Sequence, residues 1–176
     1  MQRFLHDALV VLPDPHAARV PFRRESWLEY RWGETLSFVK GGLSINPAMI
    51  SGFAEPTPTG ARTVSPEATL RLSAPPPNGD TVLEVEAGAF PAAAHLPEQQ
   101  VSVEIIGQIV GDWAWWAGAP SPHELTIPAA VYNGGDLRLR FLITRSGSPA
   151  EAGRSNHEAA YGIMVKSVRL RTVGKN

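Results

Sequence analysis

The sequence predicts an all-β fold, an antiparallel β-sandwich of jelly-roll type preceded by an irregular N-terminal arm. Short stretches alternate apolar and polar residues, as half-buried antiparallel strands do, and turn signals separate them about every ten residues. No convincing long helical pattern follows residue 33. The chain has 176 residues, which is long enough to bury about 70% of its extended surface in one core. We therefore predict an arm over residues 1–32 and one sandwich domain over residues 33–176.

The arm differs from the rest of the chain because its residues follow neither the helical nor the strand period. Three prolines fall between residues 13 and 21, and apolar residues within 2–11 recur at a spacing compatible with a short helix. Trp27, Tyr30 and Trp32 precede the sandwich and are interpreted as an anchor that fixes the arm to it. Two roles stay open for the arm, which either packs on its own domain or docks on a protein partner or second copy.

The sandwich is predicted from seven alternating stretches, at residues 36–39, 66–73, 81–87, 100–106, 109–116, 136–144 and 163–170. Eight of their apolar residues hold inward positions and are expected to share one core: Leu70, Leu83, Val85, Val103, Leu139, Phe141, Ile163 and Leu170. In the last stretch the inward parity changes near Lys166 and Ser167, which predicts a β-bulge there. Gly107 and Gln108 are predicted to form a two-residue type II′ hairpin turn.

The charge balance and the lack of cysteine exclude several classes of function. Lysine and arginine total 16 against 17 aspartate and glutamate, a formal net charge of -1, so no nucleic-acid partner is expected. Without cysteine the chain has no thiol nucleophile and no thiolate metal ligand. No stretch approaches the ~20 apolar residues that cross a bilayer, so no membrane insertion is expected. The first residues break their apolar run too early for a signal peptide. We expect cytoplasmic synthesis, with display on a particle or cell surface left open.

Turn and strand segments follow one another in a recognisable order, at residues 52–56, 60–63, 68–72, 76–80, 83–87, 110–113 and 148–155. In this order the chain resembles a carbohydrate-binding-module-like β-sandwich domain associated with bacterial glycosyltransferases and polysaccharide-handling proteins. Phe53 and Arg62 stand where that family usually has tryptophan, and His157 and Ala159 stand where it tends to carry aspartate and arginine. The resemblance implies non-catalytic binding of a bacterial surface or capsular polysaccharide, without a cofactor.

The densest aromatic cluster lies in the stretch 109–116. Strand parity places Trp113 and Trp115 on one face with Ile109, and we expect these two tryptophans to be core residues. Trp116 then shares the opposite face with Asp112 and is the better candidate for a surface platform, because aromatic rings stack on the apolar faces of sugars.

The predicted carbohydrate site consists of Trp116, Asp112, His157, Asn156 and Glu158. The last three belong to a segment that would edge the same groove if the sheet order allows. The competing hypothesis is a structural or adaptor protein in a larger assembly, such as a phage-like particle or a cell-surface spike, docked by the arm.

Catalytic and metal sites are not expected. Glu84 and Glu86 are about 7 Å apart on one strand face, within the range of paired catalytic carboxylates, but alternating glutamates on an outward face usually serve solvation. No G-x-S-x-G or dinucleotide glycine pattern occurs, and the five histidines are scattered without zinc-ligand spacing. Structural calcium stays open, since sequence alone cannot assemble its oxygen ligands. The sequence therefore indicates a binding protein and not an enzyme.

Overall fold

The computed structural model describes residues 27–42, 50–89, 98–116, 119–144 and 161–173. Within these ranges the chain forms eleven β-strands and no helix. The strands are β1 (Leu28–Glu29), β2 (Thr35–Ser37), β3 (Ile50–Ser51), β4 (Ala61–Arg62), β5 (Glu67–Ala74), β6 (Thr81–Ala89), β7 (Glu98–Ile105), β8 (Gln108–Trp116), β9 (Ser121–Ile127), β10 (Gly135–Ile143) and β11 (Ile163–Thr172). In the described part of the chain, no helix is long and apolar enough to cross a membrane.

The strands form two sheets that pack face to face. Sheet A has the order β1-β5-β10-β7-β8, with β3 also paired to β5, and sheet B has the order β2-β11-β6-β9, with β4 also paired to β11. From β4 to β11 every connection crosses from one sheet to the other, except the β7–β8 hairpin within sheet A. The pairs are antiparallel apart from β1 with β5. The predicted antiparallel sandwich of jelly-roll type is confirmed.

One hydrophobic core lies between the sheets. All eight residues predicted to share it are buried in a single cluster. Phe141 of β10 is fully buried and meets Phe53 edge to face, with ring centroids 6.5 Å apart. The alternation in the sequence therefore identifies the core because each strand turns one face inward and the other toward solvent.

Two local irregularities were predicted, and the structure confirms one of them. The pairing of β11 with β6 shifts register between Val165 and Ser167, at the predicted bulge. The hairpin turn lies one residue earlier than predicted, because Ile105 pairs with Gln108 and leaves Ile106 and Gly107 as the turn. Both turn residues have positive φ, 51° and 84°, as a type I′ turn requires, so the predicted II′ turn is wrong.

The described part of the sandwich begins before residue 33, the predicted domain boundary. Leu28 and Glu29 pair with β5, and the side chain of Tyr30 is only 2% exposed. The Tyr30 hydroxyl accepts a hydrogen bond from the Leu170 N–H at 2.8 Å and donates to the carbonyl of Glu34. Residues 28–30 therefore belong to the sandwich, while residues 1–26 lie outside the described residues.

Candidate functional site

The outer surface of sheet A beside its last strand carries the candidate site. It is built from alternate side chains of two paired strands and is called the β8 platform. Its residues are Glu98, Gln100 and Ser102 of β7, and Asp112, Ala114 and Trp116 of β8. Trp116 is 62% exposed, and Asp112 is exposed on the same outward side of the strand, as strand parity predicted.

The inward residues of β8 fix this strand against the core. Trp113 and Trp115 are 8% and 1% exposed, which confirms that both are core residues. Their rings meet edge to face at 5.4 Å, and the Trp115 indole N–H donates to the Ser121 carbonyl at 3.1 Å. The ring of His123 in β9 lies 4.6 Å from that of Trp115. The platform side chains therefore stand on a strand whose inner face is packed into the core.

The register between β7 and β8 sets the neighbours of each platform residue. Trp116 lies opposite Glu98, Ala114 opposite Gln100, and Asp112 opposite Ser102. These neighbours are partly linked, because the Ser102 hydroxyl donates to Asp112 Oδ1 at 2.5 Å and Gln100 Nε2 donates to Glu98 Oε1 at 3.3 Å. The arrangement places hydroxyl, amide and carboxylate groups in one row beside an indole ring.

An open depression of about 430 Å³ lies in the middle of the platform. Gln100, Ser102, Asp112 and Ala114 line it together with Thr144 at the end of β10. Trp116 stands beyond this lining, two residues further along the strand than Ala114, or about 7 Å away. The small side chain of Ala114 therefore forms the bottom of the open space between the ring of Trp116 and the polar groups.

A bulge in β8 changes which residues reach this surface. Val103 pairs with Gly111 but Glu104 pairs with Ile109, so Val110 is an extra residue in the strand. Ile109 turns outward and is 48% exposed, whereas Val110 packs against the core. The predicted shared face of Ile109 with the two buried tryptophans is therefore wrong, because the bulge reverses the parity at this point.

The backbone of β8 adds hydrogen-bonding groups to the platform. In the described part of sheet A, β8 is the last strand. The N–H of Thr144 donates to the carbonyl of Gln100 at 3.1 Å, so the backbone groups of Gln100 point toward β10. Its partner Ala114 then directs its own N–H and C=O away from β7, and the same parity applies to Asp112 and Trp116. Three residues thus present backbone donors and acceptors at the sheet edge.

Beyond the depression, sheet A carries an ion-paired cluster centred on Arg140. Its guanidinium contacts Glu104 at 2.6 Å and binds both carboxylate oxygens of Glu67, at 2.8 and 2.5 Å. Hydrogen bonding from Arg140 lowers the pKa of Glu67 below its ordinary value. This arginine is held by two carboxylates and is not an open anion site.

The predicted carboxylate pair of β6 lies on the outer surface of sheet B. Glu84 forms ion pairs with Arg169 and Arg171, and Glu86 forms one with Lys166 at 2.7 Å. Both glutamates therefore have cationic partners from β11. Among the described residues, no three histidine, aspartate or glutamate side chains are grouped so that they could hold a metal ion.

The structure places two of the five predicted site residues, Trp116 and Asp112, on the same outward face of β8. His157, Asn156 and Glu158 lie outside the described residues, and their role stays a prediction. Sequence reasoning did not include Gln100 and Ser102 of the platform. Their alternation within β7 marks them as outward residues, but only the strand register identifies them as neighbours of Trp116 and Asp112.

Comparison with known proteins gives similarity in structure alone. No protein-family model and no curated protein matches the sequence. One similar structure is the CBM36-1 domain of a multidomain xylanase from the hindgut metagenome of Trinervitermes trinervoides. It is 13% identical with a TM-score of 0.47, over 81% of this chain and 99% of that one.

Two further solved structures are similar to a comparable degree. A carbohydrate-binding module CBM36 in complex with calcium and xylotriose is 14% identical with a TM-score of 0.44, over 78% of this chain and 98% of that one. A family 35 carbohydrate binding module from Clostridium thermocellum is 9% identical with a TM-score of 0.47, over 70% of this chain and 91% of that one. Similarities of this size assign neither a family nor a ligand to the chain.

Proposed function

We propose that the chain binds carbohydrate on the β8 platform without cleaving it, and that the natural ligand is a bacterial surface or capsular polysaccharide. The observation that carries the proposal is the Trp116 ring, 62% exposed on a strand packed into the core, next to a row of hydroxyl, amide and carboxylate groups. Sugar recognition needs a flat apolar ring for the C–H face of a pyranose, and donors and acceptors for its hydroxyls. The platform supplies both.

The dimensions of the platform suit an oligosaccharide. Trp116 and Asp112 are four residues apart on one strand, a distance of about 14 Å. Ala114 and the amide of Gln100 opposite it lie between them, and the hydroxyl of Ser102 lies opposite Asp112. A sugar stacked on the indole ring can therefore be followed by further units that reach the polar row.

The expected affinity is low because the surface is open and shallow. We expect dissociation constants from micromolar to millimolar, about 4 to 8 kcal/mol of binding free energy. The single ring of Trp116 should supply a large share of it, since aromatic groups dominate small interfaces.

The test is isothermal titration calorimetry with a panel of polysaccharides and their oligosaccharides. Trp116→Ala should abolish or greatly weaken binding with little change in melting temperature, whereas Trp116→Phe should keep part of it. Val173→Ala is the matched control, because Val173 is 42% exposed and follows β11 of sheet B, away from the platform. Binding that survives Trp116→Ala unchanged would contradict the proposal.

A second candidate function, a structural part of a larger assembly, is favoured by the tip of the β7–β8 hairpin. Ile106 and Ile109 are 52% and 48% exposed there, and Ile106 has a φ of 51°, which β-branched residues rarely adopt. In this role, copies of the chain would associate through the hairpin tip or through the N-terminal arm.

Analytical ultracentrifugation tests this role with Ile109→Ser and with a truncation that removes residues 1–26 but keeps Tyr30. A change in sedimentation relative to the intact chain supports assembly. A monomer in all three samples contradicts it.

A further inference from the structure

We infer that the glycan bound on the β8 platform carries no negative charge, so that its sugars are neutral or amine-bearing and not acidic. This inference rests on the proposed function and names the ligand class of the same site. It follows from the placement of carboxylates along the platform and from the pairing of Arg140 on sheet A.

A carboxylate stands at each end of the platform. Glu98 lies directly opposite Trp116 as a non-hydrogen-bonded pair of the antiparallel strands. In such pairs the two side chains are closer together than in hydrogen-bonded pairs. The Cβ atoms of such a pair are about 4.5–5.5 Å apart. Asp112 stands at the other end, beyond Ala114. A sugar stacked on the ring of Trp116 therefore has Glu98 beside it, and the next units approach Asp112.

Among the described residues, the platform contains no lysine, arginine or histidine to offset these two charges. Beyond it, Arg140 is bound by Glu67 and Glu104, so its positive charge is already paired. A polyanion lying on the platform would therefore meet the carboxylates of Glu98 and Asp112 at its two ends.

The same carboxylates favour neutral and amine-bearing sugars. An ionised carboxylate has about four acceptor positions, so Asp112 can accept hydrogen bonds from sugar hydroxyls in addition to the one from Ser102. An ammonium group would add attraction to Glu98. Repulsion of a sugar carboxylate within a few ångströms of Glu98 should weaken binding by roughly tenfold or more at low salt, where screening is small.

The experiment measures affinity for three classes of probe in 20 mM and 150 mM salt: neutral glucan, xylan and mannan, the polycation chitosan, and the polyanion polygalacturonate. The wild-type chain should bind at least one neutral or amine-bearing probe, and polygalacturonate roughly tenfold or more weakly than that probe. Glu98→Gln combined with Asp112→Asn keeps the hydrogen-bonding shape and should shrink this ratio, most clearly at low salt. Glu124→Gln, which removes a carboxylate from sheet B, should leave the ratio unchanged.

The outcomes separate the inference from the function on which it rests. Polygalacturonate binding as tight as that of the neutral probes, or a ratio that the double substitution does not move, overturns the inference while carbohydrate binding stands. A failure of every probe to bind the wild-type chain overturns the proposed function and the inference together.

Discussion

The two outer faces of the sandwich differ in what lies beside their polar residues. On sheet B the charged side chains pair with one another across three strands. They are Glu84, Glu86, Glu124, Lys166, Arg169 and Arg171. Beside β8 on sheet A, by contrast, the row of Gln100, Ser102 and Asp112 adjoins the Trp116 ring, which is 62% exposed. Among the described residues Trp116 is the only exposed aromatic side chain, so the platform of sheet A is the surface suited to bind a sugar.

The contrast shows why charge on a strand face is a poor indicator of function. Glu84 and Glu86 have the spacing of catalytic carboxylates, yet arginine and lysine side chains of β11 occupy them. Exposed ion pairs of this kind contribute little to stability. A single exposed aromatic ring is the more informative feature, because exposing it to water has a cost that ligand binding removes.

The largest expected effect comes from the core that both faces share. Phe141→Ala should destabilise the fold by about 3–5 kcal/mol, because removal of the buried ring leaves a cavity between the two sheets. Chemical denaturation measures the loss. A loss below about 1 kcal/mol would show that the faces do not depend on a common core.

Tyr30 joins the two sheets at their edge, so removing its hydroxyl should loosen one from the other. Tyr30→Phe should lose about 1–3 kcal/mol, since the buried N–H of Leu170 loses its acceptor. Burial raises the pKa of Tyr30 to about 12, above its ordinary value. The folded chain therefore holds this proton more tightly than the unfolded chain does. The corresponding stability is complete below about pH 10 and is lost as the pH rises through about 12.

Denaturation followed across this alkaline range should show a smaller fall in stability for Tyr30→Phe than for the wild-type chain. Identical alkaline profiles for the two proteins would contradict the role given to Tyr30. Burial also raises the pKa of Tyr132, so part of the wild-type fall should remain in the variant.

The hairpin that carries the platform should become more stable when its strained turn is relieved. Ile106→Asn places a residue that tolerates positive φ at 51° and should gain about 1 kcal/mol, or about 2–4 °C in melting temperature. Differential scanning calorimetry measures the shift. Sugar binding should not change, because Ile106 lies outside the platform. A lower melting temperature would mean that the isoleucine side chain makes contacts that outweigh its backbone strain.

The smallest effect is expected on sheet B. Glu84→Gln should cost less than about 1 kcal/mol, with the loss diminishing as salt is added, and should leave carbohydrate affinity unchanged. Glu98→Gln is the matched substitution on the platform, where affinity for a charged glycan should respond. An equal response of affinity to both substitutions would erase the distinction between the faces.

The sequence was sufficient for the core but not for every strand. Leu139 and Phe141 alternate with arginines, and such a pattern fits only a strand with one buried face. The strand β9 was missed because Ser121 and His123 occupy inward positions and Pro122 lies within it. Proline is tolerated there because β9 is the last strand of sheet B in the described part of the chain.

Only the part of the candidate site that lies within the single strand β8 could be predicted from the sequence. The parity of β8 separates Trp116 from the buried tryptophans and places Asp112 on the same face as Trp116. Which residues of β7 lie next to Trp116 and Asp112 depends on the pairing register of β7 with β8. The extra residue Val110 shifts this register by one residue from Gly111 onward. Register arises from contacts between strands, and no pattern within a single strand contains it.

The proposed binding surface for a sugar is the platform of sheet A and not the ion-paired face of sheet B. Nuclear magnetic resonance tests this surface residue by residue, when an oligosaccharide that the chain binds is titrated into the isotope-labelled protein. Binding on the platform should produce the largest shifts at the Trp116 indole N–H and at the backbone N–H groups of Asp112 and Ala114, with none at Glu84 or Arg171. Shifts confined to the face of Glu84 and Arg171, with the Trp116 signals unmoved, would contradict it.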